Sequence, residues 1–254
     1  MRIAFVGKGG SGKSAIAGTL ARLLARHGEP VLVLDSDPMP GLALSLGMDA
    51  SDAGIPDEAI EENPDAQAPR FRLRAGLTAA EAVERYAAVG PDGVRLLQMG
   101  KLRGHVSAVA RSQFAFRQIT RELEDGAWHL VGDLPGGTRQ PYFGWGRFAR
   151  TVLVVAEPTA KSLLSARRLA GLAGGEDPPR VLALANKVRE PADADHVAAR
   201  TGLEVVAAVP WDEELAEAER AGRAPVDHAP RSAAVRVVEQ LVDLLRTEED
   251  GAAG

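Results

Sequence analysis

Residues 7–14 read Gly7-Lys8-Gly9-Gly10-Ser11-Gly12-Lys13-Ser14, and this octet limits the fold more than any other feature of the chain. It follows a short apolar run, Arg2–Gly7, that reads as a buried strand. It precedes Ile16, Leu20, Leu23 and Leu24, whose spacing predicts a one-sided helix over 14–26. Gly28 stands where that helix should stop, and Pro30–Asp35 reads as a second buried strand. Strand, glycine loop, helix and strand make a βαβ unit, and a helical crossover joins parallel strands.

The alternation runs on to the far end. Val94–Met99, Trp128–Gly132, Thr151–Ala156, Arg180–Ala185 and Glu204–Val209 read as further buried strands. Helical patterns cover Thr78–Ala88, Val106–Leu123, Ala160–Ala173, Asp193–Arg200, Glu213–Ala221 and Ala233–Leu245. The expectation is an α/β fold with one doubly wound domain over 1–246, its mostly parallel sheet carrying helices on both faces. An acidic flexible tail is expected over 247–254. Residues 49–90, acidic and proline-bearing, are the least regular part.

Composition narrows the function. At 45% hydrophobic and 26% charged residues, the chain has enough apolar material for a core and is not intrinsically disordered. Its apolar runs are a few residues long, against the roughly 20 a membrane helix needs. No basic leader with a long apolar stretch opens the sequence, so a cytoplasmic protein is expected. Cysteine is absent, which excludes disulfides, thiolate zinc sites, a cysteine nucleophile and a cysteine-held iron–sulfur cluster. The five histidines are scattered without an i, i+4 pair. A net charge of −5 disfavours a dedicated nucleic-acid binder. Only five of the thirty basic residues are lysine, yet Lys8 and Lys13 both fall inside the octet.

The octet matches the Walker A pattern at every fixed position. Its glycines let successive amides point inward as an anion nest, and the helix start adds partial positive charge. Gly9, Gly10, Ser11, Gly12 and Ala15 would contribute to the phosphate cradle. Lys13 would reach the β- and γ-phosphates, and Ser14 would give its hydroxyl to Mg²⁺. Asp35 and Asp37 end the second strand beside this loop, well placed for magnesium or a water. Trp128–Asp133 is an apolar run ending in aspartate, the Walker B arrangement, so Asp133 would hold a magnesium-bound water or Ser14.

Lysine at the loop's second position resembles the deviant Walker A of the MinD/ParA/nitrogenase iron protein ATPases. That resemblance implies an ATP-sandwich homodimer in which Lys8 contacts the partner's phosphates. It makes Asp37 the residue that positions or deprotonates the attacking water. Asp133-Leu-Pro-Gly-Gly137 resembles the family's second switch, implying that the Gly137 amide senses the γ-phosphate. Asn186-Lys187-Val188-Arg189 is similar to the Asn-Lys-Xaa-Asp element of GTPases. Arg189 is a donor only and cannot accept from guanine, so adenine is favoured, with Asn186 as its reader and Lys187 beside it. The family packs the segment matching Pro210-Trp211-Asp212 on adenine.

Nearly the whole chain follows the CooC-type branch, nickel-insertion accessory proteins. The supporting strings include Met99-Gly100-Lys101, Val154–Pro158 and Ser162–Arg168. The branch's Cys-Xaa-Cys pair is missing: that stretch begins His105-Val-Ser-Ala. The resemblance therefore implies an ATP-driven accessory or maturation factor without its own thiolate metal site, acting on an unidentified client protein. Thr138–Trp145, unusually aromatic, is a candidate client or dimer surface, though core packing would use it equally. An alternative is a ParA-like positioning ATPase whose ATP dimer binds nonspecific DNA through Arg70–Arg74 and Arg220–Arg231, although the alternating Arg/apolar residues of the first stretch equally describe an edge strand with one solvated face. A small-molecule kinase would share the phosphate loop. A membrane anchor is not expected, because Glu248-Glu249-Asp250 follows the last amphipathic helix.

Overall fold

In the computed structural model, all residues are described except 38–40, 52–53, 66, 100–105, 140, 142–145, 174–177 and 253–254, along with the side chains of 106–110 and 250–252. His105, Met99-Gly100-Lys101 beyond Met99, and most of the aromatic segment ending at 145 fall outside the described residues.

Strand β1 (Arg2–Gly7) is followed by α1 (Lys13–Arg26), β2 (Val31–Asp35) and a short α2 (Gly41–Ser45). Residues 49–90 hold β3 (Ile60–Glu62), β4 (Phe71–Leu73), α3 (Ala79–Tyr86) and β5 (Ala88–Val89). Then come β6 (Arg95–Gln98), α4 (Val106–Glu122), β7 (His129–Asp133), β8 (Thr151–Ala156) and α5 (Ala160–Leu169). The chain ends with β9 (Arg180–Val188), α6 (Pro191–Thr201), β10 (Val205–Pro210), α7 (Glu213–Arg220), α8 (Pro225–His228) and α9 (Ala233–Ala252).

Eight strands form one sheet in the order β10-β9-β8-β1-β7-β2-β6-β5, parallel throughout except for β5 against β6. This is the doubly wound arrangement expected. Strand period splits the core in two. Ile3 and Phe5 of β1 face α1 and α9 with Leu20, Leu24, Val238 and Leu241. Ala4 and Val6 face the opposite layer, where Val83, Ile119, Leu163 and Val197 come from α3, α4, α5 and α6. Because both faces are covered, the central strands read as unbroken apolar runs.

Three differences from the sequence reading have physical causes. The stretch Arg70–Arg74 contains β4, which pairs antiparallel with β3, and Arg70 and Arg72 meet Glu62 and Glu61 at 3.1 and 2.6 Å. Three of the arginines proposed for DNA, Arg70, Arg72 and Arg220, are thus already in ion pairs, the last with Glu213. Helices α2 and α8 are too short to show a periodicity. The tail expected to be loose from 247 is helical to Ala252, held by ion pairs from Glu248 to Arg180 and from Glu249 to the N-terminal ammonium, both 2.6 Å. Among the described residues, no helix is long and apolar enough to cross a membrane.

Candidate functional site

The loop that follows β1 turns on left-handed glycines. Gly10 and Gly12 have φ of 81° and 91°, a region that side chains avoid. Gly12 caps α1 without any side-chain acceptor, and no acidic residue lies in the first turn. The helix therefore presents its first amides and its positive end to the loop, a ready site for an anion. Ser11, Lys13 and Ala15 are buried, whereas Lys8, Gly9 and Gly10 are exposed. Among the described residues, the exposed Lys8 ammonium contacts only its neighbour's carbonyl, Gly9 O, at 3.3 Å.

Strand register sets the acidic groups. Asp35 of β2 and Asp133 of β7 lie side by side, and Asp133 also borders Phe5 two residues before the loop. Ser14 donates to Asp133 Oδ2 at 2.5 Å, while Asp133 Oδ1 is buried with no hydrogen-bond partner. Burial pushes the Asp133 carboxyl up to about 6, against the opposing pull of the Lys13 charge and the Ser14 hydroxyl. A buried, unsatisfied carboxylate oxygen beside a serine hydroxyl is a costly arrangement unless something is meant to bind it. Oxygen donors of this kind suit Mg²⁺, which takes few protein ligands and draws the rest from phosphate and water. The pair thus fits the expected ion. Among the described residues, no cluster of three acidic or histidine side chains could hold a metal without such help.

Asp35 shapes the turn that carries Asp37. Its Oδ1 accepts from the Asp37 amide at 3.0 Å and its Oδ2 from Gln98 at 3.4 Å. Burial first, then the Asp133 charge, pushes its carboxyl up to about 7. Ser36 completes the suspension: its amide and hydroxyl both donate to the Asp133 carbonyl, at 3.3 and 3.2 Å. Asp37 itself is half-buried at the end of this turn. Gln98 closes β6 just before Met99 and was not singled out from sequence, because a glutamine at a strand end carries no chemical signal of its own.

The segment after Asp133 returns to the loop. Gly137 forms an antiparallel bridge with Gly7, and its amide donates to Gly7 O at 2.9 Å. The amide expected to sense a phosphate is thus engaged with the loop backbone. Gly136, not singled out from sequence, makes the closer approach: a Cβ there would stand 2.7 Å from the Gly9 Cα.

The base side also differs in detail. Asn186 is buried and donates from Nδ2 to Ser11 O at 2.7 Å, so its amide nitrogen braces the phosphate loop. Lys187 donates to Gly10 O at 2.8 Å and pairs with Glu157 at 2.9 Å. Pro210 pairs with Val188 beside them, and exposed Trp211 lies under the Arg189 guanidinium at 5.0 Å. The Asp212 side chain caps. Burial opposes its charge, but amides of Ala234, Leu215 and Glu214 hold its carboxyl below the usual carboxylate range. Its oxygens tie α7 to the start of α9, which is a capping role.

Comparison with known proteins agrees with this geometry. The family model described as the CobQ/CobB/MinD/ParA nucleotide binding domain matches residues 3–226. An ATP-binding protein of Methanocaldococcus jannaschii is 30% identical over 237 residues, covering 88% of this chain and 90% of that one. The carbon monoxide dehydrogenase accessory protein CooC of Rhodospirillum rubrum is 28% identical over 242 residues, covering 91% of each. Among solved structures, the septum site-determining protein MinD of Pyrococcus horikoshii, complexed with Mg-ADP, superposes with a TM-score of 0.73 at 18% identity, covering 99% of this chain and 96% of that one. At that identity the likeness speaks for the fold.

Proposed function

The chain belongs to the CobQ/CobB/MinD/ParA nucleotide-binding family, and on that premise we propose that it is a magnesium-dependent ATPase working as a nucleotide-switched homodimer. The partner protein it drives is a client of the accessory or maturation kind, in line with its similarity to CooC. The observation that carries the reading is the pairing of an uncapped helix start with Ser14 and the unsatisfied Asp133 Oδ1. One half is built for phosphate and the other for the cation that travels with it. Magnesium, held by Ser14 and Asp133, would supply charge neutralisation on the phosphate oxygens.

The chain's own groups divide the remaining work. The amides at the start of α1 and the Lys13 ammonium hold the phosphates. Asn186, with its nitrogen spent on the loop, offers an acceptor oxygen to an exocyclic amine, and Arg189 cannot replace the carboxylate that guanine requires. Asp37, whose amide donates to Asp35 Oδ1, orients the attacking water and takes its proton. The bridge from Gly137 to Gly7 couples the second switch to the loop, so a change at the γ-phosphate moves both.

Lys13→Ala is expected to abolish binding of a fluorescent ATP analogue. Asp37→Ala should keep that binding within about threefold while phosphate release falls on the order of 10²-fold or more. Unchanged affinity in the first variant would sink the assignment of the loop. Normal turnover in the second would remove Asp37 from the mechanism.

A further inference from the structure

Two carbonyls of the phosphate loop are gripped from the end of β9: Ser11 O by Asn186 and Gly10 O by Lys187. In a planar trans peptide the carbonyl and the following amide point in opposite directions. Holding Gly10 O therefore aims the Ser11 amide, which closes on Lys8 O at 3.1 Å. Holding Ser11 O aims the Gly12 amide toward the open side of the loop. The grip on these carbonyls decides where the loop's donors point.

Lys187 reaches Gly10 only because its backbone is left-handed, with φ of 59°. Among the described non-glycine residues, Asp92 alone shares such a conformation. A side-chain-bearing residue in this region costs free energy and persists where its surroundings demand it. What faces the Lys187 ammonium is Glu157, just beyond β8, at 2.9 Å. Glu157 is itself fixed, since its amide donates to Ser162 Oγ at 3.0 Å in the first turns of α5. The two side chains are 23% and 33% exposed, so the contact is partly shielded from water.

A carboxylate close to a phosphate site needs a reason, because it repels the ligand. Its use here is direction. A lysine on a flexible four-carbon stem would otherwise swing toward incoming phosphates and release Gly10 O. We infer that Glu157 is a positioning residue that keeps Lys187 on the Gly10 carbonyl, and so holds the turn in which the Ser11 amide closes on Lys8 O and on which the shape of the phosphate loop depends. This rests on the ATP reading above and assigns Glu157 a part in it. Asp37 sits on a different strand end, across β1 and β7 from this pair. Losing the pair should therefore weaken nucleotide binding and leave the chemical step alone.

The test measures affinity for a fluorescent ATP analogue, with KM and kcat for hydrolysis, in the wild type, Lys13→Ala, Glu157→Gln, Lys187→Gln, their double variant and Lys187→Arg. Glu157→Gln and Lys187→Gln should each raise Kd and KM roughly tenfold, with kcat within about twofold. The double variant should be no worse than the worse single one, because both break the same contact. Lys187→Arg, whose guanidinium can still reach both partners, should recover part of the affinity and covers the case in which a neutral variant does not fold. Unchanged affinity in Glu157→Gln, or losses that simply add, would reduce the pair to an ordinary surface ion pair. If the folded wild type binds no ATP analogue, the ATP reading falls and takes this inference with it. If the wild type binds and Lys13→Ala does not, an unaffected Glu157→Gln overturns the inference alone.

Discussion

Single buried oxygens carry much of the site's character. The Asp35 carboxyl, raised from 3.8 to about 7, holds its proton far more tightly in the folded chain than in the unfolded one. The folded state binds more protons between those two values, so stability falls as pH rises from about 4 through 7. Above pH 8 the ionised, buried group costs on the order of 2–4 kcal/mol. Asp35→Asn removes that cost while its carbonyl can still accept from the Asp37 amide. Free of nucleotide and with divalent ions chelated, the variant should melt on the order of 5–10 °C above the wild type at pH 8.5. At pH 4 the two should nearly coincide. A difference that does not change with pH would show that burial of charge is not the cause. The sequence places Asp35 near the site but not in this role. Walker-type spacing identifies which carboxylates gather at a strand edge, whereas their division of labour depends on which amides they meet. Asp212 shows the same limit, since a carboxylate after a Pro-Trp turn reads equally as a ligand or a cap.

Where α1 crosses α2 the two helices approach closely. A Cβ on Gly18 would stand 2.7 Å from the Ser45 Cβ and 3.0 Å from its backbone carbonyl. One turn on, buried Arg22 donates to Leu46 O at 2.6 Å and pairs with Asp92 and Asp227, at 2.8 and 2.9 Å. The loop helix therefore seats the short helix just downstream of Asp37. Gly18→Ala gains about 1 kcal/mol in helix propensity, but the methyl meets backbone rather than a movable side chain. Displacing α2 should outweigh the gain, with a net loss of about 1–3 kcal/mol by chemical denaturation. Because α2 begins only four residues after Asp37, kcat should also fall, with ATP affinity kept. Stabilisation by the added methyl would refute this seating. Such contacts explain what is legible at this scale. Long elements with one or two apolar faces announce themselves by period, as α1 and β8 do. The seat of a five-residue helix is set by tertiary contact, and so is the partner of β4: the alternating Arg/apolar residues of 70–74 fit an edge strand, but not which strand meets it.

At the scale of the molecule, the nucleotide end carries an exposed lysine beside the buried one. Lys13 is buried near Asp133, whereas Lys8 stands in solvent and, among the described residues, touches only the Gly9 carbonyl. A monomer gains little from a second lysine turned away from its own cradle. Two copies facing each other across their loops would bring eight or so negative oxygens together, and a lysine from each could then neutralise the other's phosphates. The phosphate octet makes this arrangement readable from sequence, while the client stays unread because recognition lives in surface shape that no motif encodes. The expected behaviour is a mass, measured by light scattering on Asp37→Ala, that is monomeric with ADP and doubles with ATP and Mg²⁺. Adding Lys8→Ala to that protein should leave ATP binding within about threefold and hold the mass at one chain. Doubling without Lys8 would assign the contact to other residues. A dimer already present with ADP would make nucleotide a modifier of a standing interface rather than the bond that forms it, and the switch would then lie in how the two halves turn against each other.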